Sequence, residues 1–170
     1  MATTYTLISS VTVGSGGTKT ITFDSIPQTY TDLVLLVSGR SSSTTYTGFF
    51  IKFNNSSWTS DVTGKILLGN GSSASSVSDQ YFSWALNNQT ASVFGSAQLY
   101  IPNYTGSNHK TVSGDSTQEN NATSSTSSLI AWKWAQTAAI TKIEIGNFDG
   151  GFSDQFVEYS TAYLYGISNA

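Results

Sequence analysis

The chain has 170 residues, a length that suits one domain, and only 10% of them are charged, against ~25% in ordinary globular proteins. The formal net charge is −3, and the basic side chains are scattered (Lys19, Arg40, Lys52, Lys65, Lys110, Lys133 and Lys142). Because nucleic-acid binding requires a basic patch, we predict no DNA or RNA partner. The absence of cysteine excludes disulfides and thiolate metal sites.

The first residues, Met1 to Thr6, contain neither the basic segment nor the apolar segment of a secretory signal. No apolar stretch approaches the ~20 residues that a membrane span needs. We therefore expect a protein that is made in a cytoplasm, is not secreted and has no membrane partner.

The N-terminal part predicts two strands, Tyr5–Val13 and Thr18–Ile26, joined as a hairpin by the glycine turn Gly14–Gly17. A proline turn at Pro27 precedes the most continuous apolar run of the chain, Leu33–Val37. A short unbroken apolar run between turn signals is typical of a strand buried on both faces. We expect the rest of the fold to be arranged around this strand.

The middle of the chain predicts further short strands separated by polar turns. Gly48–Asn54 alternates, with Phe49, Ile51 and Phe53 on one side and Phe50 and Lys52 on the other. The serine-rich stretch Ser72–Ser78 predicts a mobile loop. The remaining predicted strands of this part are Ile66–Leu68, Asp79–Leu86 and Ser92–Ile101.

Four strands are predicted near the C-terminus: His109–Thr117, Ser128–Ala135, Ile140–Ile145 and Phe156–Ile167. The first is weak and polar, which suggests the edge of a sheet. In total the pattern gives about ten strands, no trustworthy helical period and no linker. We therefore predict a single all-β domain over residues 1–170, with a sandwich, jelly roll or barrel as its architecture.

Catalytic and metal-binding patterns are weak throughout the chain. His109 is the only histidine, and nothing near it resembles a nucleophile elbow. The glycine-containing segment Asp149–Asp154 has two carboxylates, fewer than a calcium loop uses, so a plain turn is the better interpretation. No pair of carboxylates stands out for glycoside hydrolysis, and no glycine loop leads to a helix. We predict no enzyme activity, no cofactor and no metal.

Aromatic residues make up 13% of the chain and offer two interpretations. They can fill a core or a subunit interface, or they can stack against sugar rings. Trp132 and Trp134 share a strand face with Ile130, which favours the core or an interface, whereas Trp58 lies in a polar segment and is the better exposed candidate. The residues kept for either role are Trp58, Trp84, Trp132, Trp134, Tyr163 and Tyr165.

Several segments together resemble a group of small virion structural proteins of tailed phages: Tyr5–Gly14, Ile26–Leu35, Leu68–Ser72, Leu99–Tyr104, Glu119–Thr123 and Tyr159–Ile167. The similarity runs nearly from end to end, although each segment is a turn or a strand edge and none is a catalytic motif. The nearest resemblance is to capsid decoration (cement) proteins.

This resemblance implies an antiparallel β-sandwich of jelly-roll type. It also implies a homotrimer on the outside of the head that binds the major capsid protein and stabilises the shell. No binding residue carries over, because the group has no motif that can be matched to a contact. The alternative is a tail-fibre or adhesion module that binds a glycan of the host surface, with Trp58 or Trp84 as its stacking residue.

Overall fold

The computed structural model describes residues 4–43, 47–85, 92–119, 125–148 and 154–168. These residues form twelve strands and no helix, which confirms the all-β prediction and exceeds the expected number of about ten strands. The strands are β1 (Tyr5–Thr12), β2 (Thr20–Phe23), β3 (Asp32–Gly39), β4 (Thr47–Phe53), β5 (Val62–Gly69), β6 (Ala74–Val77), β7 (Tyr81–Ala85), β8 (Gly95–Ile101), β9 (Lys110–Glu119), β10 (Ser125–Trp134), β11 (Ile143–Phe148) and β12 (Thr161–Ile167).

The strands form two antiparallel sheets, as in a β-sandwich. The large sheet has eight strands in the order β1-β12-β3-β8-β9-β10-β5-β6, and the small sheet has four in the order β2-β11-β4-β7. In the small sheet, β7 lies against β8, β9 and β10 of the large one.

The chain passes from sheet to sheet as it proceeds. β1 lies in the large sheet, β2 in the small one, β3 in the large one and β4 in the small one. Strands distant in sequence then pair, β1 with β12, β2 with β11, β3 with β8 and β4 with β7. The remaining strands, β5, β6, β9 and β10, extend the large sheet beyond β8.

The predicted central strand is β3, which pairs with β12 on one side and with β8 on the other. Leu33 and Leu35 are completely buried between the sheets, and Val34 on the opposite face is 4% exposed. The prediction of a strand buried on both faces is therefore confirmed for this part of β3.

The core between the sheets uses the alternate residues that face inward from each strand. Phe49, Ile51 and Phe53 enter it from β4, as their alternation predicts, and Ile130, Trp132 and Trp134 enter it from β10. Aromatic rings pack against one another there, with Phe49 stacked on Phe156 at 4.8 Å between ring centroids.

The predicted hairpin of the first two strands is wrong. β1 pairs with β12 in the large sheet, and β2 pairs with β11 in the small sheet. The glycine turn therefore carries the chain from one sheet to the other. Turn chemistry at Gly14–Gly17 is local, whereas the choice of strand partner depends on which residues more than a hundred positions away complete each sheet.

Two further predictions about strands are wrong. The serine-rich stretch contains β6, which pairs with β5 through Leu67 and Ser76 among others. The polar strand β9 lies inside the large sheet between β8 and β10, not at its edge. Small hydroxyl residues do not prevent a strand from pairing on both sides when the neighbouring strands supply the apolar core.

Candidate interaction surfaces

The predicted catalytic and metal candidates do not come together. His109 is exposed and lies just before β9. Of the carboxylates in Asp149–Asp154, Asp149 lies outside the described residues, while Asp154 opens the last described segment. Within the described part of the chain, no three histidine or acidic side chains are placed to hold a metal ion.

The outer face of the large sheet, the side turned away from the core, carries rows of residues that run across the strands. One row is made almost entirely of small hydroxyl residues: Thr12, Thr161, Ser38, Ser96, Thr117, Ser127, Gly69 and Ala74. The next row holds larger side chains: Ser10, Tyr163, Leu36, Gln98, Asp115, Leu129, Leu67 and Ser76. These two rows carry one charged residue, Asp115, while Lys65 and Lys133 lie on the same face further along β5 and β10.

The large hydrophobic side chains that are exposed in the described residues lie on this face or at its border, in two groups that β3, β8 and β9 separate. They are Tyr5 (54% exposed), Leu7 (50%), Leu67 (55%), Leu129 (60%), Tyr163 (37%) and Tyr159 (69%). All but Tyr159 belong to strands of the large sheet, and Tyr159 lies in the turn that leads into β12. Clustered exposed apolar residues are typical of a contact surface, whereas scattered ones are ordinary.

A groove of about 390 Å³ lies where Leu67 and Leu129 face each other across β5 and β10. Gly69 and Ala74 line its end, and a side chain at Gly69 would meet nothing within 4 Å. Asp115 is the charged residue in its lining. The groove can therefore receive an apolar side chain of a partner.

Tyr159 combines the largest of these exposures with a strained backbone. Its φ is 69°, in the left-handed region that a tyrosine rarely adopts. The turn is held by the Tyr159 N–H, which donates to the Val13 carbonyl at 2.9 Å, and by the Ser160 N–H, which donates to Val157 at 3.1 Å. An exposed aromatic residue at a strained position suggests a contact role, because folding alone would favour glycine or asparagine there.

The outer face of the small sheet carries an aromatic cluster around Trp58. The Trp58 ring stacks on Phe50 at 5.0 Å between centroids and lies 5.5 Å from the Tyr81 ring. Phe50 itself is 2% exposed, and Trp58 is half-buried. Trp58 therefore uses one ring face for packing and is less exposed than its polar sequence neighbours suggest.

Charged side chains flank this cluster. Lys52 Nζ lies 5.4 Å from the centroid of the Phe50 ring and 3.1 Å from Glu144 Oε1. Lys142 reaches both Glu144, at 3.9 Å, and Asp24, at 3.8 Å. The small sheet thus presents a tryptophan beside hydrogen-bonding charges, the combination that sugar recognition uses.

The other aromatic candidates are placed as follows. Trp132 and Trp134 are 3% and 1% exposed and belong to the core, which removes them as surface residues. Trp84 lies in β7 opposite Gly48, but its side chain lies outside the described part of the structure. Tyr163 and the half-buried Tyr165 point to the outer face of the large sheet.

Two charged side chains of the described residues are buried, and the sequence did not predict their burial. Lys110, 2% exposed, donates from Nζ to the carbonyls of Asn108 at 2.6 Å, Ala138 at 3.0 Å and Thr137 at 3.3 Å. Burial lowers the pKa of Lys110. Asp32, 7% exposed, accepts hydrogen bonds from the Tyr100 hydroxyl and the Asn103 N–H, both at 2.8 Å.

These polar contacts join loops to the ends of strands. The hydrogen bond to Asp32, followed by burial, raises the pKa of Tyr100. A lysine that starts a polar strand and an aspartate that precedes an apolar run gave no sequence signal of burial, because their partners are mostly backbone groups of distant loops.

Comparison with known proteins found no matching protein-family model and no matching curated protein. No helix in the described residues is long and apolar enough to cross a membrane.

Proposed function

We propose that the chain is a structural protein of a tailed-phage virion, a decoration protein that binds the outside of the head and stabilises the shell. The observation that carries the proposal is the set of exposed apolar residues on the outer face of the large sheet, Leu67 and Leu129 at one end and Tyr163 towards the other. The end-to-end resemblance to virion structural proteins supports it. The mechanism is mechanical and involves no catalysis or cofactor.

We propose that the sandwich is of the jelly-roll type. The strand orders β1-β12-β3-β8 and β2-β11-β4-β7 are those expected when one long ribbon of paired strands is rolled into two sheets. Jelly rolls occur in viral capsid proteins and in lectins, so the fold fits both the decoration role and the glycan-binding alternative. The fold therefore does not distinguish the decoration role from glycan binding, and the surface residues have to.

The contact with the major capsid protein is proposed to use the groove between Leu67 and Leu129, together with Tyr159. Each such contact is small, but a trimer that engages several capsid subunits at once gains avidity from their effective concentration. Binding only the assembled shell then stabilises that state by mass action. The trimer itself is proposed from the resemblance and suits the threefold positions of a shell.

The first test is immunogold labelling of intact particles of the phage that encodes the chain. We expect regular label over the head. Label confined to the tail would overturn the decoration role and favour the adhesion module. No label on any particle would overturn both virion roles.

The second test is binding of purified variants to heads that lack the protein. Tyr159→Asn and Leu129→Asn should each weaken binding at least tenfold while the protein remains folded, since both side chains are exposed. Asparagine tolerates the left-handed backbone, so Tyr159→Asn should not lower stability. Unchanged binding by both variants would exclude this face as the capsid contact.

Glycan binding is the second candidate function, and the Trp58 cluster is the observation that favours it. The variant Trp58→Ala tests both proposed functions, because each predicts a different result. In the decoration role it should leave head binding unchanged, because the small sheet faces away from the shell. In the adhesion role it should abolish binding on a glycan screen that the unmodified chain passes.

A further inference from the structure

β1 lies at one edge of the large sheet and has features of an interior strand. It pairs with β12 on one side, and no strand of the described residues pairs with its other side. Tyr5 and Leu7 on its outer face are 54% and 50% exposed. Ile8 and Val11 are partly buried and pack against the core. A strand with apolar side chains on both faces is usual inside a sheet, not at its edge.

Proteins normally protect such an edge. Charged residues, proline, bulges and short length all prevent an edge strand from pairing with another chain. β1 has eight residues, of which none is charged and none is proline. One protective feature is present, a shift in the pairing with β12 between Leu7 and Ser9.

The other edges differ from β1. β2 and β6 have only four residues each. Lys19 and Asp24 flank β2, and Lys65 donates a hydrogen bond to Ser78 just after β6. Edge β7 has five residues. β1 is therefore the longest of these four edge strands, and none of its residues is charged.

We propose that β1 pairs with β1 of a second copy of this chain, antiparallel and about a twofold axis, so that the two large sheets become one continuous sheet. The neutral strand makes this possible, because self-pairing places no like charges opposite each other. A different partner would have to supply a strand that matches β1, whereas a second copy supplies one by symmetry.

The pairing shift at Ile8 fixes a self-complementary arrangement. Before it Tyr5 and Leu7 face outward, and after it Ser10 and Thr12 do, since they lie opposite Tyr163 and Thr161. An axis beside Ile8 and Ser9 would therefore place Leu7 opposite Ser10 of the second copy and Tyr5 opposite Thr12. Each exposed apolar side chain would then pack beside a small one.

This inference does not depend on the proposed function, because it concerns the purified chain alone. The twofold contact through β1 is also distinct from the threefold contacts of a trimer, so it can join two trimers. Failure of one proposal therefore leaves the other unaffected.

The absence of native cysteine allows a direct test by disulfide crosslinking. Single cysteines are introduced at Thr6, Ser9 and Thr12, and at Ser76 on β6 as a control on the opposite edge. Under mild oxidation Ser9→Cys should give a disulfide-linked dimer, since a disulfide needs Cα atoms within about 7 Å, while Thr6→Cys, Thr12→Cys and Ser76→Cys should remain unlinked.

The mass in solution provides a second measurement on unmodified protein. Sedimentation should give an even number of 18.1 kDa chains. Leu7→Lys should reduce the dimer at least tenfold, and Leu67→Lys, at a similarly exposed site on the same face, should not. A monomeric or purely trimeric mass, equal effects of the two lysines, or crosslinking through Ser76 but not β1 would overturn the proposal.

Discussion

The buried ammonium of Lys110 shows how a single residue ties two segments together. Three carbonyls accept from it, one just before β9 and two in the loop after β10, and its Nζ lies 5.8 Å from the centroid of the Trp134 ring. Without the Lys110 ammonium, these three carbonyls would lack the hydrogen bonds that it donates. Lys110 therefore joins the start of β9 to the loop after β10.

Replacing Lys110 by methionine should destabilise the protein by about 1–3 kcal/mol, because the carbonyls lose their hydrogen bonds while the side-chain volume is nearly kept. Lys133→Met, on the exposed face of β10, is the matched control and should change stability by less than about 0.5 kcal/mol. Urea denaturation of both variants measures the difference. Equal effects would show that the carbonyl contacts contribute nothing.

The raised pKa of Tyr81 predicts how the free energy of unfolding changes at alkaline pH. Burial, and then the nearby Asp79 carboxylate, raises the pKa of Tyr81 to about 12 from its ordinary value of 10.0. Above pH 10 the unfolded chain loses this proton first, so its contribution to stability, complete below pH 10, is lost as the pH rises towards 12. Tyr81→Phe should therefore lose less stability than the unmodified protein between pH 9 and 11.

The urea midpoint of each protein at the two pH values is the measurement. Tyr100 and Tyr104, whose pKa values are also raised, affect both proteins alike and cancel in the comparison. The same fall in both proteins would mean that the Tyr81 hydroxyl titrates normally in the folded state.

At the scale of strands, glycine positions explain how the aromatic cluster lies on the small sheet. Gly146 of β11 is opposite Phe50 of β4, and the Phe50 ring occupies the space that a side chain at Gly146 would need. Gly69, at the end of β5, has open space instead. A side chain is therefore excluded at Gly146 by the Phe50 ring, whereas Gly69 has room for one.

Alanine at these two sites should have opposite effects on stability. Gly146→Ala should cost about 1–3 kcal/mol, because it displaces the Phe50 ring and with it Trp58. Gly69→Ala should be neutral or stabilise by up to about 1 kcal/mol, since alanine loses less chain entropy. Thermal unfolding with tryptophan fluorescence measures both, and a neutral Gly146→Ala would show that the ring shifts freely.

The sequence predicted individual strands better than their partners. The apolar run in β3 and the alternation in β4 and β10 reflect burial, which each segment carries in its own residues. The partners of β1 and β2 depend on β12 and β11 at the far end of the chain, and no local pattern encodes that choice. Serine and threonine make the stretch of β6 resemble a loop and make β9 resemble an edge strand, because much of the apolar core beside them comes from neighbouring strands.

On the surface, the sequence identified Tyr163 and Trp58 as candidate contact residues, but it did not identify the other exposed residues, Leu67, Leu129 and Tyr159. Their apolar character is visible in the sequence, whereas exposure depends on which face of a strand turns outward. Leu67 and Leu129 look like core residues until their register places them opposite each other on the outer face. The strain at Tyr159 has no sequence signal, since a tyrosine does not predict a left-handed backbone.

On the scale of the whole molecule, the ion pairs lie on the small sheet, whereas the proposed β1 contact is uncharged. The ion pairs found in the described residues join Lys52, Lys142, Glu144 and Asp24 on the small sheet. The β1 edge has no charge. Association through β1 should therefore depend on hydrogen bonds and apolar burial and little on ionic strength.

We expect the self-association constant to change by less than about threefold between 0.05 and 0.5 M sodium chloride, since salt screens only charge–charge interactions. Sodium sulfate should strengthen association, because excluded salts favour burial of apolar surface. Sedimentation equilibrium at each salt concentration measures both effects. A loss of association of tenfold or more in sodium chloride would instead indicate an ionic contact, which the small sheet could supply and β1 could not.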